Sequence, residues 1–319
     1  MNKNQVLKKL QAAIEKRQAL ISHTNAFRLV NSRGDGLPGL IIDSYNKHFM
    51  IQRLISQGNL DMQAVIDYVL NKRDPDYLIL KQRASLETTD PVKIQTTVYR
   101  EKTSSQTTVV ENGLAFHVDL NDGLNTGLFL DMRKNRKIIA LAAKSRELLN
   151  CFSYTCSFGV YGYKYGAHRV TNVDISKKAL ARGKENYSLN NIPALDEEFI
   201  RSDCLKYLKS ALKRKIFFDM IILDPPTFSR NKGRVFLIKK NFPELIESSL
   251  KILKENGYLF AATNCSSITH SILKTLIQES SLLAKRRIVS MQALRQDIDF
   301  PGSGTVFESH MAAFLVGYK

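Results

Sequence analysis

Phe218-Asp219-Met220-Ile221-Ile222-Leu223-Asp224-Pro225-Pro226 is an almost unbroken apolar run that ends in a carboxylate and two prolines. A short apolar run without polar alternation reads as a strand buried on both faces, the kind that builds parallel sheets. The same texture recurs on either side. Upstream stand Leu148-Leu149-Asn150-Cys151-Phe152, Val170-Thr171-Asn172-Val173-Asp174 and Phe199-Ile200-Arg201-Ser202-Asp203. Helices are predicted over 176–190, 204–213 and 241–254, the last leading to Tyr258-Leu259-Phe260-Ala261-Ala262. Alternating strands and helices from about residue 125 predict an α/β, Rossmann-like domain with helices on both faces of a mostly parallel sheet. In such sheets ligands sit at the carboxyl ends of the strands.

Ahead of this region the texture differs. Val6, Leu10, Ala13, Ile14 and Arg17 recur at helical spacing and predict a helix over 3–20. The Gly-rich Arg33-Gly34-Asp35-Gly36-Leu37-Pro38-Gly39-Leu40 follows, then strand-like 41–43 and 49–52, a helix near 60–71 and a strand at 77–80. Asn112-Gly113 lies between Thr108-Val109-Val110 and Leu114-Ala115-Phe116-His117-Val118, a strong hairpin signal. Residues 1–120 are therefore expected to form a small α+β module, and 121–319 the Rossmann-like domain.

Composition narrows the function. Lys and Arg number 47 against 30 Asp and Glu, a net charge of +17 over 319 residues, which argues for a polyanionic partner such as nucleic acid. No run is long and apolar enough for a transmembrane helix, and the charged start does not suit a secretory signal. Four cysteines (Cys151, Cys156, Cys204 and Cys265) form no disulfide or metal framework, so a cytoplasmic protein without a metal site is expected.

Asn150, Asp174, Asp203 and Asp224 each fall at the end of a predicted strand. Asp also caps helices, so a single such position means little. Four in order say more: Asp174, 24 residues past Asn150, suits a ribose hydroxyl pair, and Asp203 could accept from an adenine amino group. The turn after the first strand lacks the Gly-x-Gly-x-x-Gly of dinucleotide binding, which points to a nucleoside ligand without a pyrophosphate, with S-adenosylmethionine as the candidate cofactor.

The segments Asn125-Thr126-Gly127-Leu128-Phe129-Leu130-Asp131-Met132-Arg133, Asn150-Cys151-Phe152-Ser153-Tyr154-Thr155, Val173-Asp174-Ile175-Ser176 and Asp224-Pro225-Pro226-Thr227-Phe228 resemble the class I S-adenosylmethionine-dependent 23S rRNA methyltransferases. Gly34-Asp35-Gly36-Leu37-Pro38-Gly39-Leu40 and Cys265-Ser266 resemble the 5-methylcytosine branch. The resemblance runs from about residue 25 to the C-terminus and implies a Rossmann-like catalytic domain behind a small RNA-binding module. It also implies a cofactor site drawn from Phe129, Asp131 and Arg133, from Asn150, Phe152, Ser153, Tyr154 and Thr155, and from Asp174, Ile175, Asp203, Cys204 and Asp224. Asp131 and Arg133 would take the methionine end.

The chain departs from the family pattern in two places. Relatives commonly carry an N-terminal PUA domain, and this chain begins about where that domain would end, so RNA docking is expected to rest on residues 1–120, the basic surface or a partner. The cofactor turn of relatives usually reads Tyr-Thr-Gly-Gly, whereas here it reads Tyr154-Thr155-Cys156-Ser157, with Gly159 as the residue that could compensate.

Carbon 5 of cytosine is a poor nucleophile. Addition of a thiolate to carbon 6 makes the ring an enamine, after which carbon 5 can take a methyl group, lose its proton and release the thiol. The family pattern makes Cys265 that thiol and Asp224 the proton-handling carboxyl near the base N3; a buried, inert cysteine is the alternative. Pro225 and Pro226 would stiffen the loop beneath the base, and Phe228 would stack on it. Arg230, Lys232 and Arg234 would meet phosphates, and Arg133, Lys134, Arg136 and Lys137 form a second basic cluster.

The expected substrate is 23S rRNA or a large-subunit precursor, with oligomeric state open, a homodimer included. A guanine-N7 methyltransferase is the nearest competing reading, because Thr126–Asp131 and Pro226–Ser229 resemble that branch too and N7 needs no thiol. A non-catalytic RNA-binding or ribosome-assembly protein on the same fold is the third, motivated by Cys156-Ser157.

Overall fold

The computed structural model describes residues 1–57, 59–83, 94–231, 234–302 and 311–319. The chain divides into two compact units, one of Met1–Asp131 with Asp297–Ser309, the other of Met132–Gln296 with His310–Lys319. No composition shift marks the excursion of Asp297–Ser309 into the first unit.

In the first unit, α1 (Lys3–Glu15) starts on a capping box in which the Asn2 side chain and Gln5 satisfy each other's backbone N–H groups. It ends before the predicted residue 20, and a short 3-10 turn takes over at Gln18–Leu20. Arg17 between them turns inward, pairs with the buried Asp35 at 2.6 Å and donates to the carbonyls of Ala13, Arg28 and Asp299.

The chain continues through β1 (Ala26–Asn31), β2 (Leu40–Tyr45), β3 (His48–Leu54), α2 (Met62–Arg73), β4 (Tyr77–Arg83) and β5 (Gln95–Glu101), which give a sheet in the order β1-β2-β3-β4-β5. Only β3 and β4 run parallel, because α2 carries the chain back between them. Ile42, Ile51, Leu78 and Leu80 line one sheet face and pack with Val6 and Leu10 of α1 and Val65 and Val69 of α2. The hairpin β6 (Gln106–Glu111) and β7 (Leu114–Asp119) turns at Asn112 and Gly113, with φ of +50° and +80°, the geometry that Asn-Gly favours.

Gly34-Asp35-Gly36 proves to be a socket within this unit. A Cβ on Gly34 would lie 2.1 Å from the Pro301 carbonyl oxygen. The Arg28 N–H donates to Asp299 at 3.0 Å and the Asn31 amide to the Pro301 carbonyl at 3.0 Å.

The second unit runs through α3 (Arg133–Ala142), β8 (Glu147–Cys151), α4 (Ser157–Lys164), β9 (Arg169–Asp174), α5 (Lys177–Leu189), β10 (Phe199–Arg201), α6 (Cys204–Lys213) and β11 (Phe218–Leu223). Then follow a small hairpin of β12 (Phe228–Asn231) and β13 (Arg234–Leu237), α7 (Ile238–Leu250), β14 (Leu253–Thr263), α8 (His270–Leu283), β15 (Ile288–Leu294) and β16 (Ala312–Tyr318). Seven strands order as β10-β9-β8-β11-β14-β16-β15, and the first five are parallel.

Both faces are covered, as continuous apolar strands require. Leu208, Phe242, Leu245 and Ile277 belong to one apolar cluster, and Met132, Ile139 and Phe158 to the other. α7 starts at Ile238 rather than 241 and holds Pro243 inside it; its first turn is secured where Asn241 accepts the Leu237 N–H at 3.0 Å. Among the described residues no helix is long and apolar enough to cross a membrane.

Candidate active site

Strand register sets the site. Cys151 pairs with Val173 on one side and Leu223 on the other, and Leu223 pairs with Ala261. Phe152, Asp174, Asp224 and Ala262, each one residue further on, therefore share one row at the carboxyl edge of the sheet.

The turn after β8 takes a tight path, with Phe152, Tyr154 and Cys156 at φ of +57°, +47° and +60°. Side chains at such φ cost of order 1 kcal/mol or more each, so surrounding bonds must hold them. Asp174 is the main anchor: one oxygen accepts the Tyr154 N–H at 2.8 Å, the other the Ser176 N–H at 2.8 Å. Ser153 donates its N–H to the Val173 carbonyl at 3.1 Å, and Asn186 of α5 donates to the Thr155 carbonyl at 2.9 Å. Burial pushes the Asp174 carboxyl up from its ordinary value, against the downward pull of the backbone N–H groups of Ser176, Tyr154 and Ile175. Asp174 stays partly open, and the next residue, Ile175, is 41% exposed.

Cys156 does not obstruct the turn. Its side chain is fully buried, and a Cβ built on Gly183 of α5 would lie 2.4 Å from the Cys156 sulfur. The glycine that this turn lacks is thus answered by a glycine on the facing helix. Gly159 has another task inside α4, where a Cβ would strike the Tyr187 hydroxyl at 2.4 Å and the Asn172 amide at 2.6 Å. Burial drives the Cys156 thiol far up, which leaves it unreactive.

Gly183→Ala is expected to cost about 1–3 kcal/mol by overpacking, less up to about 1 kcal/mol of helix propensity. Adding Cys156→Ala should return most of the loss in urea denaturation. Equal stability of the single and double variants would show that α5 moves aside instead.

The other expected residues divide. Asn150 lies inside β8 rather than at its end, 1% exposed, and donates to Asn172 at 2.9 Å, which in turn donates to the Tyr187 hydroxyl at 2.8 Å. That ladder makes it an internal brace. Asp203 caps α6 through the Lys206 N–H at 3.0 Å. Cys204 is buried, its sulfur accepting the Phe152 N–H at 3.2 Å, and burial and the neighbouring Cys151 thiol both push it up.

Arg133 and Arg136 are 2% and 1% exposed, and Arg136 lies over the Tyr161 ring at 5.9 Å. The basic cluster on α3 is therefore half interior and presents only Lys134 and Lys137 to solvent. Phe129 and Asp131 fall in the other unit. Phe228 and Arg230 lie on β12 and Arg234 on β13, while Lys232 lies outside the described residues.

At the opposite side of the row, Asp224 follows β11 and Pro225 is buried behind it, with Pro226 and Thr227 exposed. The Thr227 hydroxyl donates to the Asn264 side-chain oxygen at 2.9 Å, which ties this loop to the turn after β14. Cys265, 6% exposed, is the next residue in that turn. Its N–H donates to the Thr263 hydroxyl at 3.0 Å, and its sulfur lies 3.1 Å from the Ser267 hydroxyl. Sequence reading singled out neither Asn264 nor Ser267; the one available signal was their place beside a cysteine at a strand end.

Comparison with known proteins agrees with this arrangement. The pattern of the S-adenosylmethionine-dependent methyltransferase family matches residues 98–302. The chain belongs to that family. Two relatives are each named ribosomal RNA large subunit methyltransferase I. The methyltransferase is 31% identical over 299 residues to the one from Aeromonas salmonicida and 32% identical over 306 residues to the one from Tolumonas auensis, in each case over 92% of this chain and 75% of the relative. A structure solved in complex with SAH superposes with a TM-score of 0.85 at 29% identity, over 99% of this chain and 82% of that one.

S-adenosylmethionine is accordingly the cofactor of this methyltransferase. The residues suit it: Asp174 offers a partly exposed carboxylate beside a backbone turn, and Cys156 keeps its sulfur on the buried side.

Proposed function

We propose that the protein methylates carbon 5 of a cytosine in 23S rRNA, in the cytoplasm, with Cys265 as nucleophile and Asp224 as proton donor. The observation that carries this reading is the Thr227–Asn264 hydrogen bond, which joins the turn bearing Cys265 to the loop bearing Asp224. The names of the relatives support large-subunit rRNA as the substrate class.

When bound, S-adenosylmethionine supplies a methyl group made electrophilic by its sulfonium. For its binding we assign Asp174 to the ribose hydroxyls, the turn Phe152–Thr155 and Ile175 to the nucleoside, and Asp203 to the adenine amino group. The turn is assigned through its backbone, whereas Asn150, Arg133 and Cys204 would have to act through their side chains, which are buried, and are left out of this set.

The protein's own chemistry begins with the Cys265 thiolate forming a bond to carbon 6. Asp224 gives a proton to N3 as ring electrons shift, which raises the electron density at carbon 5. Once carbon 5 carries the methyl group, its proton passes to solvent water. The electron pair re-forms the carbon 5–carbon 6 double bond as the sulfur leaves as thiolate, and the N3 proton returns to Asp224. Pro225 and Pro226 hold the loop, and Phe228 is assigned to stack on the base.

Residues 1–120 and the +17 charge are assigned to RNA docking. Affinity for an rRNA fragment should then fall with salt by about 0.9 log units per log unit of salt for each duplex phosphate contact. Replacing Arg230, Lys232 and Arg234 together should flatten that slope; an unchanged slope would take these residues off the backbone.

The test of the function itself is nucleoside mass spectrometry of 23S rRNA from cells with and without the gene. Loss of one 5-methylcytosine is the expected result. Loss of 7-methylguanosine would establish the competing guanine chemistry, and no change would end the rRNA assignment.

A further inference from the structure

We infer that Ser267 is the positioning residue of the proposed nucleophile, its hydroxyl holding the Cys265 sulfur and stabilising it as a thiolate. The inference rests on the assignment of Cys265 made above and adds to it the group that readies the sulfur.

The turn after β14 leaves Cys265 little freedom. Its N–H is bound to the fully buried Thr263 hydroxyl at 3.0 Å, and its carbonyl accepts the Ile268 N–H at 2.9 Å, with Ile268 itself 2% exposed. A backbone gripped at both ends aims the side chain one way, and there the Ser267 oxygen lies 3.1 Å from the sulfur. Ser267 is exposed, so its hydroxyl is not needed to fill the core. The inert Cys156, by contrast, has the Ser153 hydroxyl at 3.8 Å from its sulfur.

The chemistry follows from what each group can donate. With a neutral thiol either atom can be the donor, whereas a thiolate can only accept. Hydrogen bonds to an ionised partner are roughly twice as strong as neutral ones, so the hydroxyl favours the ionised sulfur. On ionisation the thiol proton leaves to solvent and the Ser267 O–H turns to the sulfur. As the sulfur lone pair forms the bond to carbon 6, that hydrogen bond is given up, and it re-forms when the sulfur is expelled. The hydroxyl thus steadies the sulfur both before attack and after release.

Charged groups on the surrounding elements include Asp224 after β11, the exposed Lys239 and Lys240 together with Glu244 and Glu247 on α7, and His270, Lys274 and Glu279 on α8, the His270 imidazole lying 3.3 Å from the Leu294 carbonyl. All of them remain in the variants compared, so a difference between those variants reads Ser267.

The experiment is the pH dependence of iodoacetamide alkylation at Cys265, followed by peptide mass spectrometry in the wild type, Ser267→Ala and Ser267→Thr. Removing the hydroxyl should move the alkylation midpoint up by about one pH unit, a tenfold loss of thiolate at any pH below it. Threonine, which keeps the hydroxyl, should restore the wild-type midpoint. A Ser267→Ala midpoint equal to that of the wild type would overturn the inference. The assay uses no RNA, so its failure is distinct from a failure of the cytosine reading, which shows as methyl transfer by a chain without Cys265.

Discussion

Cys265→Ser protein is expected to bind S-adenosylmethionine and rRNA as the wild type does and to transfer no methyl group. Serine keeps the size of the side chain and its place beside Ser267, so the turn gripped by Thr263 and Ile268 should persist. What it loses is the thiolate, and a serine hydroxyl at neutral pH cannot replace it as an attacking group. The expected loss is therefore the whole measurable activity rather than a fraction. A 5-fluorocytosine-substituted 23S rRNA transcript gives an independent reading, because fluorine leaves carbon 5 no proton to lose. Wild-type protein should accumulate a covalent adduct with it, and Cys265→Ser should form none. Methyl transfer by the variant at near the wild-type rate would remove the covalent step and favour guanine N7, which attacks unaided.

Asp174→Ala should weaken S-adenosylmethionine binding by roughly tenfold to over a hundredfold. A hydrogen bond to a charged group is worth about 1.5–3 kcal/mol, which corresponds to that range. Asp174 is assigned to the ribose hydroxyls and also holds the N–H groups of Tyr154 and Ser176 at 2.8 Å each, so alanine releases the turn as well as the ligand. The upper part of the range is expected for that reason. Calorimetry measures the affinity, and a thermal melt without cofactor separates ligand loss from general unfolding. Unchanged affinity would take Asp174 out of the site.

Local physics made much of this protein legible in its sequence. Asn112-Gly113 specifies a hairpin because both residues tolerate positive φ, and the hairpin turns there. Apolar runs that end at Leu223 and Asp174 specify buried parallel strands, because a sheet covered on both faces has no solvent side to mark with polar residues. The helices predicted over 176–190 and 204–213 are found at Lys177–Leu189 and Cys204–Lys213, each with its own side-chain cap from Ser176 or Asp203. Motif and register together bring Asp174, Asp224 and Cys265 to one sheet edge.

Tertiary structure alone decided what depends on partners far along the chain. Asn172, 22 residues on, takes the Asn150 amide into a buried ladder that local sequence does not announce. Cys156 looked like an obstruction until Gly183 of α5 supplied the space for its sulfur. Arg133 and Arg136 counted as surface charge in composition yet lie inside, and Arg17 ends its helix early to reach Asp35. Gly34 is required by the Pro301 carbonyl, more than 260 residues away. The division has one physical cause. Backbone preference and apolar periodicity act over a few residues and can be read along the chain, whereas burial of a charge, room for a sulfur or the reach of a hydroxyl exists only once distant segments are packed together.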